Sequence, residues 1–304
     1  MVDPGRNRPL NSTPRGEDRP RDEGTQATGE APASGAVPLI PAGLDAVLVL
    51  LRHGQTQFIV ENRFQGVMEA PLTALGERQA TLAGRRLAAP AADPPIPVPD
   101  ATPFSIVHSQ LGRARRSAEL ASAQIELAGR AIPPLRSDTG FSEIAQGDWE
   151  GLTDKQITAR FGDSLAGWRR WPTRYHAPGG ESLDEVMARV QASLTVLLAD
   201  LKEGAAAGTH DRNQVLGYGD KAPDRRRWSL IVGHGGVFRV AACALLGLPL
   251  EHFWNFDFGL GAISVVEIRA GRAVLRALNL DSHLGAEAEP PVDETTKRSE
   301  SGAL

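Results

Sequence analysis

The sequence predicts an α/β fold, a three-layer α/β/α sandwich built on a mostly parallel sheet. Three observations predict it. Short apolar runs with β-branched members alternate with longer stretches whose apolar positions recur every three to four residues. Turn-forming, polar and cationic residues follow the first three of these runs. Hydrophobic residues make up 41% of the 304, enough for a packed core, yet no apolar run nears the ~18 residues of a membrane span.

Taken in order, Ala46–Leu51 (AVLVLL) is continuously apolar, the mark of a parallel strand buried on both faces. Leu72–Leu87 follows with helical spacing at Leu75, Gln79, Leu82 and Arg86. Phe104–Val107 is a second strand and Leu111–Leu127 a second helix. The stretch from Phe141 to Gly151, rich in glycine and polar residues, reads as a loop. Glu181–Leu201 is a long amphipathic helix with its stripe at Leu183, Val186, Val190, Leu194 and Leu197. Trp228–Val232 is a third strand, leading into a helix over Gly236–Leu246. Ala262–Ile268 and Ala273–Leu278, parted by Gly271, read as a closing hairpin.

Composition sets the borders. Residues 1–43 carry 7 Pro, 6 Gly and no aromatic side chain, so they are expected to be a disordered extension. They lack the basic and apolar regions of a secretory signal, and they are too acidic for a transit peptide, which leads to the expectation of a cytoplasmic protein. Residues 285–304 form an acidic tail expected to be flexible, with 5 acidic and 2 basic residues. The stretch between, 44–284, has no net charge and is read as one domain, with 203–227 a loop insertion of little periodicity. A net charge of −4 excludes a general nucleic-acid partner. One cysteine, Cys243, excludes a disulfide framework or a CxxC metal site; it sits among apolar helix residues as packing.

Ligands of open α/β sheets bind beyond the carboxyl ends of the strands. Arg52-His53-Gly54-Gln55-Thr56 follows the first strand, His108-Ser109-Gln110-Leu111-Gly112-Arg113 the second, and Gly233-His234-Gly235-Gly236 the third. Each piece has a bland reading: a structural histidine, arginines in solvated ion pairs, a tight glycine turn. Three at equivalent places point instead to an anion, and a phosphoryl group suits the planar donors of arginine. The helix beginning near Gly236 adds its own N-terminal donors. Cleaving an alkyl phosphoester also requires a proton for the leaving oxygen. The loop 141–151 offers Glu143, Asp148 and Glu150, and spacing alone does not choose among them.

These blocks resemble the histidine phosphatase (phosphoglycerate mutase-like) superfamily, in its larger RHGxT branch. The likeness runs through Arg52-His53-Gly54-Gln55-Thr56, Asn62–Gly66, Pro71–Gly76, Ser109–Ala114, Glu143–Gly151, Pro178–Ser182, Val232–Gly235 and Asn279–Leu284. It implies that His53 is a nucleophile forming a phosphohistidine, and that Arg52, Arg113 and His234 hold the phosphoryl oxygens. It implies Glu143 as the proton donor, Gly235, Gln65 and Gly66 as contacts to phosphate or substrate, and no metal or other cofactor. One departure stands out: the family often has Asn six residues after the nucleophile, where this chain has Ile59, with Gln57 and Asn62 as candidate substitutes. Arg116 shares a helix face with Arg113, whereas Arg115 is expected in solvent. Among the other histidines, His108 and His283 are placed at the pocket edge, His176 in the loop before Pro178, and His210 and His252 at the surface.

The Gly-Asp-Trp-Glu-Gly run resembles the phosphatase-type members, and the Glu-Arg-His-Tyr-Gly run of glycolytic mutases is absent. The expected activity is therefore a phosphomonoester hydrolase acting on a small phosphorylated metabolite, with a mutase-type phosphotransferase as the alternative. A weakly active scaffold that binds a phosphorylated ligand is the third possibility. Specificity is expected from Gln65–Pro71, from Ile157–Pro178 with Trp168 and Trp171, and from Glu203–Arg227.

Overall fold

The computed structural model describes residues 38–205 and 226–287. In chain order the elements are β1 (Ala46–Arg52), α1 (Gln57–Val60), α2 (Ala74–Ala88), β2 (Ser105–His108), α3 (Gly112–Leu127), β3 (Leu135–Ser137), α4 (Asp154–Arg170), α5 (Leu183–Ala205), β4 (Arg227–Gly233), α6 (Gly235–Leu246), β5 (Ile263–Arg269) and β6 (Arg272–Leu280). They form a six-stranded sheet in the order β3-β2-β4-β1-β5-β6. The first four of these pair in parallel, and β5 and β6 add an antiparallel edge.

The alternation of β1 explains the layers. Val47, Val49 and Leu51 face Ala83, Leu87, Ala118, Ala121 and Ile125 of α2 and α3. Ala46, Leu48 and Leu50 face the other way, into the core made by Val190, Leu194 and Leu197 of α5 and Val237, Val240 and Ala241 of α6. Each such fully buried Val or Leu contributes roughly 1.5–3 kcal/mol, and a run apolar on both faces is stable only between two helical layers.

The structure departs from the sequence reading in several places. The buried stripe of α2 is Gly76, Gln79, Ala80, Ala83, Gly84 and Leu87, with Leu75 and Leu82 only half buried. Small residues take the stripe because α2 and α3 pack closely: a Cβ on Gly84 would sit 2.5 Å from the Ala121 backbone. Three elements escape the sequence reading, of which α1 is a single turn of four residues. The strand β3 is three residues at the sheet edge, and α4 starts just before the stretch assigned to specificity and runs through more than half of it. A signal for α4 was present, since Thr153 and Gln156 form a reciprocal capping box before Ile157, Leu165 and Trp168.

The borders also shift. The extension expected over 1–43 and the acidic tail fall largely outside the described residues, as does most of 203–227. Yet Leu39 and Ile40 pack against the core, residues 203–205 continue α5, and Glu287 is bonded through its carboxylate to Arg78 and through its carbonyl to Gln79. Among the described residues no helix is long and apolar enough to cross a membrane.

Candidate active site

The adjacency of β1 and β4 builds the site. Their parallel register sets Arg52 opposite Gly233, and the His53 amide donates to the Gly233 carbonyl at 3.0 Å. The residues that follow each strand are thereby brought together at one level. The rings of His53 and His234 meet edge to face, centroids 5.0 Å apart, and both side chains are fully buried. His53 Nδ1 lies 2.7 Å from the Gly54 carbonyl. A carbonyl only accepts, so Nδ1 carries the proton and Nε2 keeps its lone pair. His234 Nε2 pairs with Ser109 Oγ at 2.8 Å.

Two guanidinium groups flank the imidazoles. Arg52 Nη1 donates to Phe258 O at 2.6 Å, and Arg113 donates through Nη1 to Met68 O (2.9 Å) and through Nη2 to Gly66 O (2.6 Å). These neutral carbonyls orient the groups without cancelling their charge, and the Nε of each is buried without a protein partner. Burial, then the Arg113 and Arg52 cations, push the His53 imidazole well below its ordinary value. The same causes act on His234, with His53 and Arg189 adding to them. Burial also lowers Arg113 to about 10, against the pull of Glu143, Glu69 and Glu150. At neutral pH the pocket therefore holds two neutral imidazoles between fixed cations.

The carboxylate of Glu143 sits at the start of α6. Its Oε1 accepts from Val237 N (2.9 Å) and Ile144 N (3.0 Å), and its Oε2 accepts from Gly236 N (3.1 Å). The backbone donors at this helix N-terminus are thus taken by an internal carboxyl group. A Cβ at 236 would lie 2.7 Å from Glu143 Oε1 and would displace the acid, and one at 235 would lie 3.2 Å from Arg52 Cζ, a tight contact. Of the other two acids, Asp148 is exposed, and Glu150 Oε1 accepts from Val67 N and Gln146 N, both at 2.9 Å. That bond ties the acid loop to the loop whose carbonyls hold Arg113.

The remaining candidates separate clearly. Gln65 is buried and accepts a 2.6 Å hydrogen bond from Thr56, while Gly66, at φ +49°, lends its carbonyl to Arg113. Ile59 is half buried; Gln57 is exposed and donates to Glu61, and Asn62 takes a left-handed turn at φ +51° and is exposed. Neither supplies the missing Asn with a group inside the pocket. Arg116 is paired with Glu77 and Glu119, and Arg115 with Glu119. His108 is buried with Nδ1 bound to Ser109 O, and His283 pairs with the Gly261 carbonyl. His176 is bound to the carbonyl of Ala177, and His252 to Asn255. His210 lies outside the described residues. Trp168 is core, packed on Phe253 and Trp254, because it sits on the inner face of α4; Trp171 is 45% exposed and stacks on Tyr175. Cys243 is buried, as expected. The sequence marks Ser109 only as part of a motif, and nothing local in it points to His234 as its partner.

A cavity of about 360 Å³ lies against Arg113, lined by Glu69, Pro71, Leu72, Glu77, Gly112 and Arg116. Among the described residues no three His, Cys, Asp or Glu side chains gather as a metal-ligand set.

Residues 48–281 match the profile of the histidine phosphatase superfamily (branch 1). The chain is 33% identical over 221 residues to glucosyl-3-phosphoglycerate phosphatase of Mycobacterium tuberculosis, covering 73% of this chain and 84% of that protein. It is 29% identical over 234 residues to a 2,3-bisphosphoglycerate-dependent phosphoglycerate mutase of Methylobacterium, covering 76% and 95%. A solved mycobacterial glucosyl-3-phosphoglycerate phosphatase, in complex with VO3, superposes with a TM-score of 0.60 at 30% identity, over 77% of this chain and 99% of that one.

Proposed function

The chain belongs to the histidine phosphatase superfamily (branch 1), and on that premise we propose that it hydrolyses small phosphomonoesters through a phosphohistidine at His53, with no metal ion. One observation carries the proposal. A neutral imidazole with a free Nε2 stands beside a second buried imidazole, two guanidinium groups and a carboxylate held on a helix N-terminus.

In the first step Nε2 of His53 attacks phosphorus, the ester P–O bond breaks, and the carboxyl proton of Glu143 passes to the departing oxygen. Oε2 of Glu143, with a single backbone donor, keeps a position for that proton. Arg52, Arg113 and His234 meet the charge on the equatorial oxygens, a kind of stabilisation worth roughly 3–4 kcal/mol per donor. Gly235, beside Arg52, and the Gln65-Gly66 turn complete the contacts around the phosphoryl group. In the second step Glu143, now ionised, takes a proton from water; the oxygen attacks phosphorus, the P–N bond breaks, and His53 is regenerated neutral.

The substrate class follows the same reasoning. The cavity beside Arg113 suits a leaving group of modest size, and the named relative acts on a phosphorylated glycosyl-glycerate. A charged phosphoester does not cross a lipid bilayer unaided, so a cytoplasmic setting belongs to the proposal.

The test follows phosphate release from glucosyl-3-phosphoglycerate, phosphoserine and simple alkyl phosphates, alongside conversion of 3-phosphoglycerate with 2,3-bisphosphoglycerate present. Hydrolysis is expected to dominate, with acid-labile phosphate trapped on the wild type and none on His53→Ala. Mutase turnover far above phosphate release, or normal hydrolysis by His53→Ala, would overturn the proposal.

A further inference from the structure

Arg189, on α5, is not part of the pocket, yet all five of its N–H donors are engaged around the acid loop. Nε and Nη2 pair with the two oxygens of Glu181, at 2.8 and 2.9 Å. Nη1 donates to the carbonyls of Gly140 (2.9 Å) and Ser142 (2.8 Å), and Nη2 donates to the carbonyl of Glu143 itself (3.1 Å). Glu181 closes the ring from the other side: its Oε2 accepts from Ala145 N at 2.9 Å, and its own amide donates to Ala145 O. The backbone is thus gripped at 140, 142, 143 and 145, on both sides of the Glu143 Cα. The grip is anchored in a helix of the core layer, since Val186, Val190 and Leu194 of α5 are fully buried.

We infer that Arg189 and Glu181 are the positioning pair of the proton donor: they fix the backbone of Glu143 so that its carboxylate meets the N-terminus of α6. The inference rests on the reading that Glu143 is the acid. A guanidinium suits the task because one planar group can address three carbonyls and a carboxylate together, whereas an ammonium has three donors and no plane. Displacing a catalytic group by about 1 Å costs on the order of 10²-fold in rate.

The test exploits leaving-group chemistry. An alkoxide leaves only with a proton, whereas nitrophenolate leaves without one. The kcat/KM for a series from nitrophenyl to alkyl phosphates, which reports transfer to the enzyme, is compared in wild type, Glu143→Gln, Arg189→Met, Arg189→Lys and Glu181→Gln. Loss in Arg189→Met is expected to reach about 10²-fold for alkyl esters and stay within about threefold for nitrophenyl phosphate, following the trend of Glu143→Gln. Arg189→Lys and Glu181→Gln, which change little volume, are expected to show the same trend at smaller amplitude and serve if Arg189→Met does not fold. Equal losses for all leaving groups, or none, in the folded variants would overturn the inference. A wild type inactive on the whole series would instead overturn the phosphatase reading itself.

Discussion

Replacing Gly236 by alanine separates the placement of the acid from the stability of the fold. The new Cβ would stand 2.7 Å from Glu143 Oε1 and 2.9 Å from Ile144 Cδ1. Ordinary contact begins near 3.4 Å, so Oε1 must recede by roughly 0.7 Å. It cannot recede freely, because that oxygen accepts from Val237 N at 2.9 Å and Ile144 N at 3.0 Å. Weakening the two hydrogen bonds to that oxygen costs about 1–3 kcal/mol, while alanine in place of glycine in a helix returns up to about 1 kcal/mol. Net stability should therefore fall by no more than about 3 kcal/mol. The acid is nevertheless displaced by a large fraction of an ångström, and kcat/KM for an alkyl phosphate should drop by roughly 10²-fold, equivalent to about 2.7 kcal/mol. Steady-state kinetics and a thermal melt on the same preparation check both halves. A Gly236→Ala enzyme that keeps alkyl phosphatase activity within about threefold of wild type, with its melt intact, would refute the reasoning.

Other outcomes follow from the same geometry. His53 and His234 stay neutral in the fold where an unfolded chain takes up protons, so stability falls as pH drops below about 6.5, by up to about 1.4 kcal/mol per pH unit for each imidazole. Denaturant midpoints above and below that pH should show it, and a flat profile would contradict the burial of neutral rings. Ser109→Ala strips His234 Nε2 of its hydroxyl partner in a buried place, a change worth about 1–3 kcal/mol, so both kcat/KM and affinity for vanadate should fall about tenfold. Unchanged vanadate binding would show that this bond does not orient the ring. Gly54→Ala drives a Cβ into the backbone of Gly76, which cannot yield, and a loss of about 3 kcal/mol or more is expected in thermal or chemical denaturation. An unaltered midpoint would mean that the nucleophile loop can move off α2.

The sequence makes the strands that carry the site easy to find. Ala46–Leu51 is apolar without interruption and Trp228–Val232 is broken only by Ser229, because both faces are covered, and the polar clusters after them stand out by contrast. The helices α3, α5 and α6 and the β5–β6 hairpin are legible for similar reasons of period and turn chemistry. The acid is harder: Glu143, Asp148 and Glu150 share a loop, and what separates them is contact with α6, nearly a hundred residues away. Resemblance to a family can name Glu143; spacing cannot. The links from Ser109 to His234 and from Arg189 to the carbonyls of the acid loop belong to the same class, since nothing local marks a side chain whose partners come from another layer. Trp168 misleads in the opposite direction: an aromatic beside basic residues looks like a lid, but its place on the inner face of α4 makes it core. The short strand β3 leaves too few residues for any period to register.

The neighbourhood of β1 and β4 has a kinetic consequence. The two strands lie far apart in the chain, with α1 to α5 between them, and the imidazoles meet only once that parallel ladder has formed. Closing so long a loop is entropically unfavourable, and folds governed by such non-local pairings form slowly. A chain that has regained its helices after dilution from denaturant would still be inert. Recovery of turnover should lag behind recovery of helical ellipticity, making the enzyme its own clock for the step that joins its two halves.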